Sequence, residues 1–313
     1  MARAQEKSLA QWKVVKVLSA EIPGFSVIIP TCNRVDLLEK CLNGLAPGRQ
    51  TLQVEHYDVI VTDDGSAQSA EGLIAAKFPW VKWVPGPKKG PAANRNNGAK
   101  AAVRPWIAFI DDDCIPDPSW LSSFAMVAAG NDEVNVLEGR TYPDRPRNSL
   151  GESCPENAKG GLLWSCNLAI RKTSFEAMNG FDQRFPFAAM EDVDFKLRLT
   201  ERREKIQFVK DASVCHPWRP KAGWGALKKH QASTFIFLQI HPEESQRINT
   251  AFYLRVIWHV FFKETLPGIL KYRFKGASFA ILEHCSQLQM AFFLAFKPKP
   301  SPVHSGQVRL KAE

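Results

Sequence analysis

Three consecutive carboxylates, Asp111–Asp113, follow directly after the apolar run Trp106–Ile110. The run has the length and composition of a buried strand, so the acids would lie at its carboxyl end. Isolated charges are costly to bury unless they are paired or bound to a metal. A Mg²⁺ or Mn²⁺ ion with a nucleotide diphosphate would satisfy them, because both ions prefer oxygen ligands. The alternative is a loop of solvated acids, since Asp117 precedes a further apolar stretch.

The composition is that of a globular protein with a large core. Of the 313 residues, 45% are hydrophobic, 23% charged and 11% aromatic, enough for one or two domains. Seven cysteines occur without a C-x-x-C pair, which argues for reduced thiols and against a disulfide framework or a zinc site. The N-terminus lacks the apolar core of a signal peptide, and no apolar stretch reaches the roughly 18 residues that span a bilayer. We therefore expect a cytoplasmic protein.

The basic excess lies in the last third of the chain. Residues 201–313 contain 18 Lys and Arg against 8 Asp and Glu, whereas residues 1–200 contain 23 against 24. Within 250–296, aromatic and aliphatic residues alternate with cations, a pattern typical of helices on a membrane surface. We predict that residues 246–296 contact an anionic membrane, peripherally at the inner face of the plasma membrane. A helical subdomain packed on the sheet, or a homodimer interface, is the alternative.

Short apolar runs alternate with amphipathic segments in the first half of the chain. The sequence predicts strands at Phe25–Pro30, Tyr57–Thr62, Trp80–Val84 and Trp106–Ile110, with helices at 34–45, 70–77 and 92–102. Asn33 is expected to cap the first helix. This order predicts an α/β fold with a mixed, mainly parallel, Rossmann-like sheet flanked by helices. In such sheets, ligands bind at the carboxyl ends of the strands.

Polar residues follow each predicted strand, as that rule requires. The clusters are Thr31-Cys32-Asn33-Arg34, Asp63-Asp64-Gly65-Ser66, Asn94-Arg95-Asn96 and Asp111-Asp112-Asp113. The G-x-G-x-x-G fingerprint of dinucleotide-binding folds is absent. Further on, we predict a long loop at Arg140–Lys159, a strand at Gly160–Arg171 that closes the sheet, and a helix from Glu191 to about Arg203.

In this order, the segments resemble the family 2 inverting glycosyltransferases, which have the GT-A nucleotide-sugar fold. The resemblance covers about residues 24–218 and rests on Ser26–Arg34, Asp63–Ser66, Asn94–Gly98, Asp111–Asp113, Asn179–Asp182 and Glu191–Asp194. The turn at Asn179 usually begins Gly-Gly in the family. The Gln-x-x-Arg-Trp signature of polymerising members is missing after His216, which favours transfer of a single sugar. The implied organisation is a lead-in over 1–23, a transferase domain over 24–218 and a basic helical region over 219–313.

The resemblance implies a metal-dependent, inverting transfer of one sugar to an acceptor hydroxyl, in surface polysaccharide or glycolipid assembly. The implied donor is a nucleotide-diphosphate sugar, most simply a UDP-sugar, and the acceptor is a saccharide or is lipid-linked. Asp192 is the favoured base, with Glu191 as the alternative. The implied ligands for Mn²⁺ or Mg²⁺ are Asp113 and Asp111, with His216 as a further candidate. The residues implied to bind the donor are Pro30, Thr31, Asn33, Arg34, Asp63, Asp64, Arg95, Asn96, Asp111 and Asp112.

Two other function classes stay open on the sequence alone. A nucleotidyltransferase also binds a nucleotide and a metal at the strand ends, but it is expected to have a glycine-rich phosphate loop after the first strand. Here that loop is Thr31–Arg34, which contains no glycine. A non-catalytic, basic membrane-binding or nucleic-acid-binding protein would explain the basic tail and none of the acid clusters. We therefore expect no nucleic-acid partner.

Overall fold

The computed structural model describes residues 21–221 and 223–296, which form two compact units. Of the described residues, the first unit contains those up to Arg147 together with Glu152–Pro220, and the second contains Asn148–Gly151 and those from Lys221 to Phe296. Apart from residues 21–23, the lead-in predicted over 1–23 lies outside the described residues, as does the chain after Phe296.

A mixed sheet of eight strands forms the centre of the first unit, in the order β3-β2-β1-β4-β8-β6-β9-β5. Neighbouring strands among β1 to β4 run parallel, whereas β8 is antiparallel to both β4 and β6. β7 and β10 form a separate antiparallel pair. The strands are β1 (Phe25–Thr31), β2 (Tyr57–Asp63), β3 (Val81–Pro85), β4 (Trp106–Ile110), β5 (Ile115–Pro116), β6 (Val136–Pro143), β7 (Glu152–Ser153), β8 (Asn167–Arg171), β9 (Ile206–His216) and β10 (Arg219–Pro220).

Helices cover the sheet of the first unit and make up most of the second. In the first unit they are α1 (Val35–Leu45), α2 (Glu71–Lys77), α3 (Pro91–Lys100), α4 (Trp120–Gly130), α5 (Lys172–Ala177) and α6 (Glu191–Glu201). In the second they are α7 (Trp224–Ile240), α8 (Thr250–Val260), α9 (Leu266–Tyr272) and α10 (Ala277–Phe296), with a π-helical turn at Phe261–Thr265. The predicted mixed, mainly parallel α/β fold with a helical C-terminal region is confirmed.

The alternation of side chains along β1 supplies two separate cores. Val27 and Ile29 belong to the cluster that includes α1 and α4, whereas Ile28 belongs to the cluster that includes α3 and α6. Gly98 lets α3 approach the sheet closely, since a Cβ at this position would lie 2.6 Å from the Ile28 side chain. Apolar residues on both faces explain why the sequence of β1 is a continuous apolar run.

Two predicted elements of the second half are wrong. The strand predicted at Gly160–Arg171 is formed only by β8, which lies inside the sheet and does not close it. Residues before it form a loop because Glu138, a buried acid of β6, accepts hydrogen bonds from the backbone N–H groups of Gly161 and Leu163. Part of the loop predicted at Arg140–Lys159 is strand, since β6 extends to Pro143.

One helix corrects the expectation about apolar length. Among the described residues, α10 has 20 residues with a mean hydropathy of 1.2, which is long and apolar enough to cross a membrane by length and composition alone. Glu283, His284 and Gln287 interrupt the run, which is why no continuous apolar stretch is visible in the sequence. A single helix of this length and composition is weak evidence for a membrane span, because core helices of soluble proteins can have the same length and composition.

Candidate active site

The carboxyl ends of β1, β2 and β4 lie side by side, because these strands are parallel neighbours. Thr31, the last residue of β1, pairs with Asp63, the last residue of β2. The backbone N–H of Asp64 bonds to the Thr31 carbonyl at 2.9 Å, which extends the pairing beyond the strands. The parallel register thus brings the polar clusters after β1 and β2 to one edge of the sheet.

Asp63 organises the loop after β2. Its carboxylate accepts hydrogen bonds from the backbone N–H groups of Gly65 and Ala70, both at 2.7 Å, and from the Ser69 hydroxyl at 3.1 Å. Asp64 is half-buried and accepts from the Lys88 N–H at 2.8 Å. Burial raises the pKa of Asp64, although the backbone N–H groups act against this. Of the two acids, Asp64 therefore has more capacity to bind a ligand.

Asn33 also holds this loop and does not cap α1. Its side-chain oxygen accepts hydrogen bonds from three successive backbone N–H groups, those of residues 66–68, at 2.9 to 3.1 Å. The residue has a left-handed φ of 54°, which asparagine tolerates better than most side chains. α1 begins at Val35 with Arg34 as its cap residue, and no side chain caps it. The capping prediction failed because three N–H groups of a neighbouring loop compete for the same oxygen.

The three acids after β4 pair with three arginines, one of which is shared by two of the acids. The chain turns at this point, with the Cys114 N–H bonded to the Asp111 carbonyl at 3.0 Å. Asp111 and Asp113 therefore do not leave an extended chain on the same side. Asp111 pairs with Arg95, Asp112 with Arg34, and Asp113 with Arg34 and Arg219.

Asp112 is a buried acid that holds Thr31 and Arg34 in place. It is fully buried, accepts a hydrogen bond from the Thr31 hydroxyl at 2.7 Å and lies 2.6 Å from the Arg34 guanidinium. Burial raises the pKa of Asp112 to about 6, against the effect of Arg34. We therefore assign to Asp112 and Thr31 the role of positioning Arg34, in place of direct contact with a donor. Pro30 lies buried within β1, directly before Thr31.

Arg95 links the acids after β4 to α6. The side chain is buried, and its guanidinium lies 2.8 Å from Asp111 and 3.3 Å from Glu191. Burial alone would lower the pKa of Arg95, but the surrounding carboxylates, including that of Asp192, raise it. The same pairing outweighs burial at Asp111 and lowers its pKa. Arg95 Nε has no hydrogen-bond partner, so one donor of this buried cation is free.

Two acids open α6 in different surroundings. Burial and the neighbouring Asp192 raise the pKa of Glu191 to about 7, although Arg95 acts against this. Asp192 also has a raised pKa, chiefly through burial. Its Oδ2 accepts a hydrogen bond from the Ser165 N–H at 3.2 Å, and its buried Oδ1 has no partner. Met190, immediately before them, has a left-handed φ of 70°, a strained conformation for a non-glycine residue.

Asp113 and His216 form a candidate metal site. His216 Nε2 lies 3.5 Å from Asp113 Oδ1, a buried oxygen without a hydrogen bond. His216 Nδ1 lies 2.8 Å from the Pro217 carbonyl, which can only accept, so Nδ1 holds the proton. The lone pair of Nε2 faces the Arg219 guanidinium at 2.8 Å. Burial lowers the pKa of His216, which favours this neutral ring. One oxygen and one imidazole nitrogen fit a divalent transition ion such as Mn²⁺.

Cys114 is the third member of this group. Its sulfur, the Asp113 oxygen and the His216 nitrogen all lie within 4.8 Å of one another. Burial raises the pKa of Cys114 far above its ordinary value, so the thiol keeps its proton. A protonated thiol is a poor ligand for a hard ion. Cys114 is therefore better described as part of the apolar core, where it is fully buried.

Asn96 holds a turn and does not face the strand ends. Its amide bonds to both backbone groups of Phe181, at 2.7 Å to the carbonyl and 2.9 Å from the N–H. Arg198 bonds to the carbonyls of Met178 and Gly180 in the same turn. We therefore assign to Asn96 the role of fixing the Asn179–Asp182 motif, in place of donor binding.

Sequence reasoning missed two buried polar residues that shape the site. Asn94 of α3 joins two strand ends, because its amide nitrogen bonds to the carbonyls of Thr31 and Thr62. Glu138 fixes the loop that leads to Ser165, the partner of Asp192. Asn94 belongs to a motif that the sequence identified, so its place in that motif could have revealed it. Nothing in the sequence near Glu138 indicates that its carboxylate meets a loop about 20 residues later.

Comparison with known proteins identifies the family. Residues 26–172 match the model of glycosyl transferase family 2. Residues 26–172 therefore form a family 2 glycosyltransferase domain. The match ends at Lys172, before His216 and the acids that open α6.

Known glycosyltransferases and solved structures resemble the chain over part of their length. Glycosyltransferase AglE of Haloferax volcanii is 28% identical over 228 residues, 68% of this chain and 72% of that protein. Validoxylamine A glucosyltransferase of Streptomyces hygroscopicus subsp. jinggangensis is 28% identical over 222 residues, 58% of this chain, which spans 52% of its length. The crystal structure of GalNAc-T7 with UDP, GalNAc and Mn²⁺ has a TM-score of 0.53 at 14% identity and covers 67% of this chain and 47% of that one. The likeness to GalNAc-T7 shows the fold, which is GT-A.

The raised pKa of Glu191 predicts a specific pH dependence of stability. The pKa is about 7 in the folded protein against an ordinary 4.5, so the folded state binds this proton more tightly than the unfolded state. The stabilisation is therefore complete below pH 4.5 and is lost as the pH rises through 7. Between pH 4.5 and 7, the free energy of unfolding of the wild type should fall by about 2 to 3 kcal/mol relative to that of Glu191→Gln.

Urea unfolding of the protein without nucleotide or metal, at several pH values from acid to mildly alkaline, measures this difference. Glu176→Gln is the control, because the side chain of Glu176 is 60% exposed on α5. Parallel pH profiles for the wild type and Glu191→Gln would show that Glu191 ionises at its ordinary pH and would contradict the prediction.

Proposed function

We propose that this glycosyltransferase is metal-dependent and inverting, and that it moves one sugar from a nucleotide-diphosphate sugar to an acceptor hydroxyl. The observation that carries the proposal is the charge of the strand-end site. Among the described residues, five carboxylates meet there with three guanidinium groups: Asp111, Asp112, Asp113, Glu191 and Asp192 with Arg34, Arg95 and Arg219. The negative excess is what one divalent cation would neutralise.

The raised pKa values support this account. Asp112 has a pKa of about 6 and Glu191 of about 7, so both acids bind protons more readily than usual. A carboxyl group behaves in this way when burial and like charges exceed the available cations. A divalent ion would favour the ionised forms and lower both values.

Asp113 and His216 would hold the ion, and Asp64 is placed to accept a hydrogen bond from the base of the nucleotide. The bound ion would stabilise the negative charge that develops on the departing diphosphate. Arg34, whose side chain is 39% exposed, is free to contact phosphate oxygens as well as the acids that anchor it. Mn²⁺ and a UDP-sugar are the proposed metal and donor, which agrees with the Mn²⁺ and UDP in the GalNAc-T7 structure.

Asp192 is the proposed catalytic base. Inversion requires a base that takes the proton of the acceptor hydroxyl while that hydroxyl attacks the sugar from the face opposite the diphosphate. Asp192 Oδ1 has no partner and can take a proton, whereas Glu191 is held by Arg95. The acceptor is a saccharide or a lipid-linked glycan, and surface polysaccharide or glycolipid assembly is the proposed setting.

The second unit exposes an apolar surface that supports membrane docking. Ile281, Leu288 and Phe292 of α10 are 51 to 61% exposed and are spaced so that they share one face of the helix. The other face is partly buried, since Ala280 and Met290 are almost inaccessible and α10 packs on α8. A helix with one face covered in this way is suited to lie on a bilayer more than to cross it.

Basic residues accompany further apolar ones on α8 and α9. Exposed side chains in residues 254–275 include Leu254, Trp258, Phe262, Leu266, Leu270 and Phe274, together with Arg255, Lys263, Lys271, Arg273 and Lys275. Aromatic residues with nearby cations match the interface of an anionic bilayer in both polarity and charge. We therefore assign to this surface, defined by α8, α9 and α10, the role of docking on anionic lipid, which would place the enzyme next to lipid-linked acceptors.

The metal-dependent donor site predicts selective stabilisation by one nucleotide. In a thermal-shift panel of UDP, GDP, TDP and CDP, UDP with Mn²⁺ should raise the melting temperature most. At a hundredfold excess of ligand over Kd, binding should increase the free energy of unfolding by about 2.7 kcal/mol. Asp113→Asn should lose the part of the shift that requires Mn²⁺. Asp132→Asn, at a side chain that is 85% exposed, is the matched control. No shift with any nucleotide, or an unchanged Mn²⁺ effect in Asp113→Asn, would contradict the proposed site.

The assignment of the base predicts a large and selective loss of rate in Asp192→Asn. The amide keeps the shape of the side chain but cannot take a proton, so kcat should fall about 10³-fold while UDP binding is unchanged. Hydrolysis of the donor sugar, with water in place of the acceptor, provides the assay. Glu191→Gln is the comparison and should cost about tenfold. A greater loss in Glu191→Gln than in Asp192→Asn would make Glu191 the base.

The docking surface predicts binding to anionic vesicles. The full chain should float with vesicles of phosphatidylcholine and phosphatidylglycerol more strongly than with phosphatidylcholine alone, and salt should weaken the binding. Replacing Ile281, Leu288 and Phe292 by serine should weaken it at least about tenfold, since apolar contact area is lost. The matched control replaces Val54, Val103 and Met126, which are exposed in the first unit.

Equal flotation of the triple variant and the wild type would exclude this face as the lipid contact. A wild-type dimer in light scattering that the triple variant converts to monomer, without vesicle binding by either, would assign the face to a second copy of the chain.

A further inference from the structure

Arg219 occupies the space between the two candidate metal ligands. Its terminal nitrogen Nη2 contacts the carboxylate of Asp113 and lies 2.8 Å from His216 Nε2. The guanidinium has no lone pair to offer, so it donates to both atoms. These are the same carboxylate and the same imidazole nitrogen that would bind a divalent ion.

A divalent ion and Arg219 exclude each other at this position. The lone pair of His216 Nε2 can accept the Arg219 proton or bind a metal, but it cannot do both. Two cations at the same pair of ligands would also repel each other strongly, because the site is largely buried. The ion can therefore bind to Asp113 and His216 only after the guanidinium has moved away.

We propose that Arg219 is an internal cation that neutralises Asp113 and blocks the metal site until a divalent ion displaces it. The inference rests on the proposed function, because it takes Asp113 and His216 as metal ligands. It adds a competing group that belongs to the chain itself and that sets how tightly the ion binds.

The surroundings of Arg219 allow this movement. Arg219 lies on β10, a strand of two residues that pairs only with β7, itself two residues long. The side chain is 40% exposed, and its Nε has no hydrogen-bond partner. Few contacts would be lost if the side chain moved toward solvent, whereas the arginine Arg95 is buried and paired on two sides.

The displaced guanidinium has an obvious partner in the nucleotide. Arginine binds phosphate oxygens through two parallel N–H groups, and a diphosphate bound to the same ion would lie within reach of a side chain that has just left it. Contact of Arg219 with the diphosphate would thus compensate for the lost contact with Asp113. Mn²⁺ alone should therefore bind weakly, and UDP should strengthen its binding by more than the direct coordination of the diphosphate provides.

Direct measurement of Mn²⁺ binding tests the inference without recourse to activity. The electron paramagnetic resonance signal of free Mn²⁺ disappears on binding, so titrations with and without UDP give Kd in each state. Without UDP, Arg219→Met should bind Mn²⁺ about tenfold more tightly than the wild type, which corresponds to about 1.4 kcal/mol. With UDP at saturation, this advantage should shrink or reverse, because the variant has no guanidinium to place on the diphosphate.

Two further variants separate the failure of this inference from the failure of the proposed metal site. Arg104→Met is the matched control, since Arg104 pairs with Asp58 at 3.2 Å and precedes the amino end of β4. Asp113→Asn removes the ligand. Arg219→Gln replaces Arg219→Met if the latter does not fold.

Equal Mn²⁺ affinity in the wild type and the Arg219 variants, with loss of binding in Asp113→Asn, would overturn the competition and leave the metal site standing. No Mn²⁺ binding by any variant, even with UDP, would overturn both. Tighter binding in the Arg219 variants alone, with Arg104→Met equal to the wild type, would establish Arg219 as the internal competitor.

Discussion

Negative charge at the ends of parallel strands is the constraint on which the site depends. The fold brings Asp111–Asp113 of the β4 end and the first two residues of α6 close together, and three of these acids, Asp112, Asp113 and Glu191, are buried there. Arginine side chains supply the opposing charge from three other elements, and most buried donors between them are used. A group of like charges in a poorly solvated place is stable only while cations balance it. This requirement explains both the paired arginines and the raised pKa values of Asp112 and Glu191.

The acids nevertheless differ in what they can do. Asp63 and Asp112 are saturated by hydrogen bonds or by a paired arginine, so they hold the site in shape. Asp112 Oδ1 has no hydrogen bond but is paired with Arg34, whereas Asp113 and Asp192 each keep a buried oxygen with neither a hydrogen bond nor a paired arginine. An orphaned buried oxygen costs free energy in the empty protein, and a ligand or a proton relieves that cost. The chemistry of the site is therefore concentrated at the two incompletely satisfied acids, one for the metal and one for the acceptor.

Much of the fold could be predicted from the sequence, because apolar periodicity and strand-end polar clusters are local signals. The first four strands were predicted to within one or two residues, and the parallel order followed from their spacing. The errors concern long-range partners. Asn33 was expected to cap α1, but a loop about 30 residues later binds its oxygen. The direction of each acid after β4 depends on the turn at Cys114 and on arginines far along the chain, which no local pattern encodes.

The sequence indicated which residues lie at the site better than it indicated what each of them does. Asn96 was assigned to the donor because it belongs to the same motif as Arg95, yet successive residues of a helix point in different directions, and Asn96 reaches the Phe181 turn. Arg219 was not predicted, because it lies beyond the last motif and one residue past the end of the predicted transferase domain. Arg219 contacts a motif about 100 residues earlier in the chain, and no local sequence pattern predicts such a contact.

Anomalous diffraction at the manganese edge, from crystals grown with UDP and Mn²⁺, tests the central claim most directly. The account predicts one strong peak bound by Asp113 and His216, with the uracil beside Asp64 and the diphosphate between them. A manganese peak elsewhere, or a nucleotide bound away from the ends of β1, β2 and β4, would contradict it.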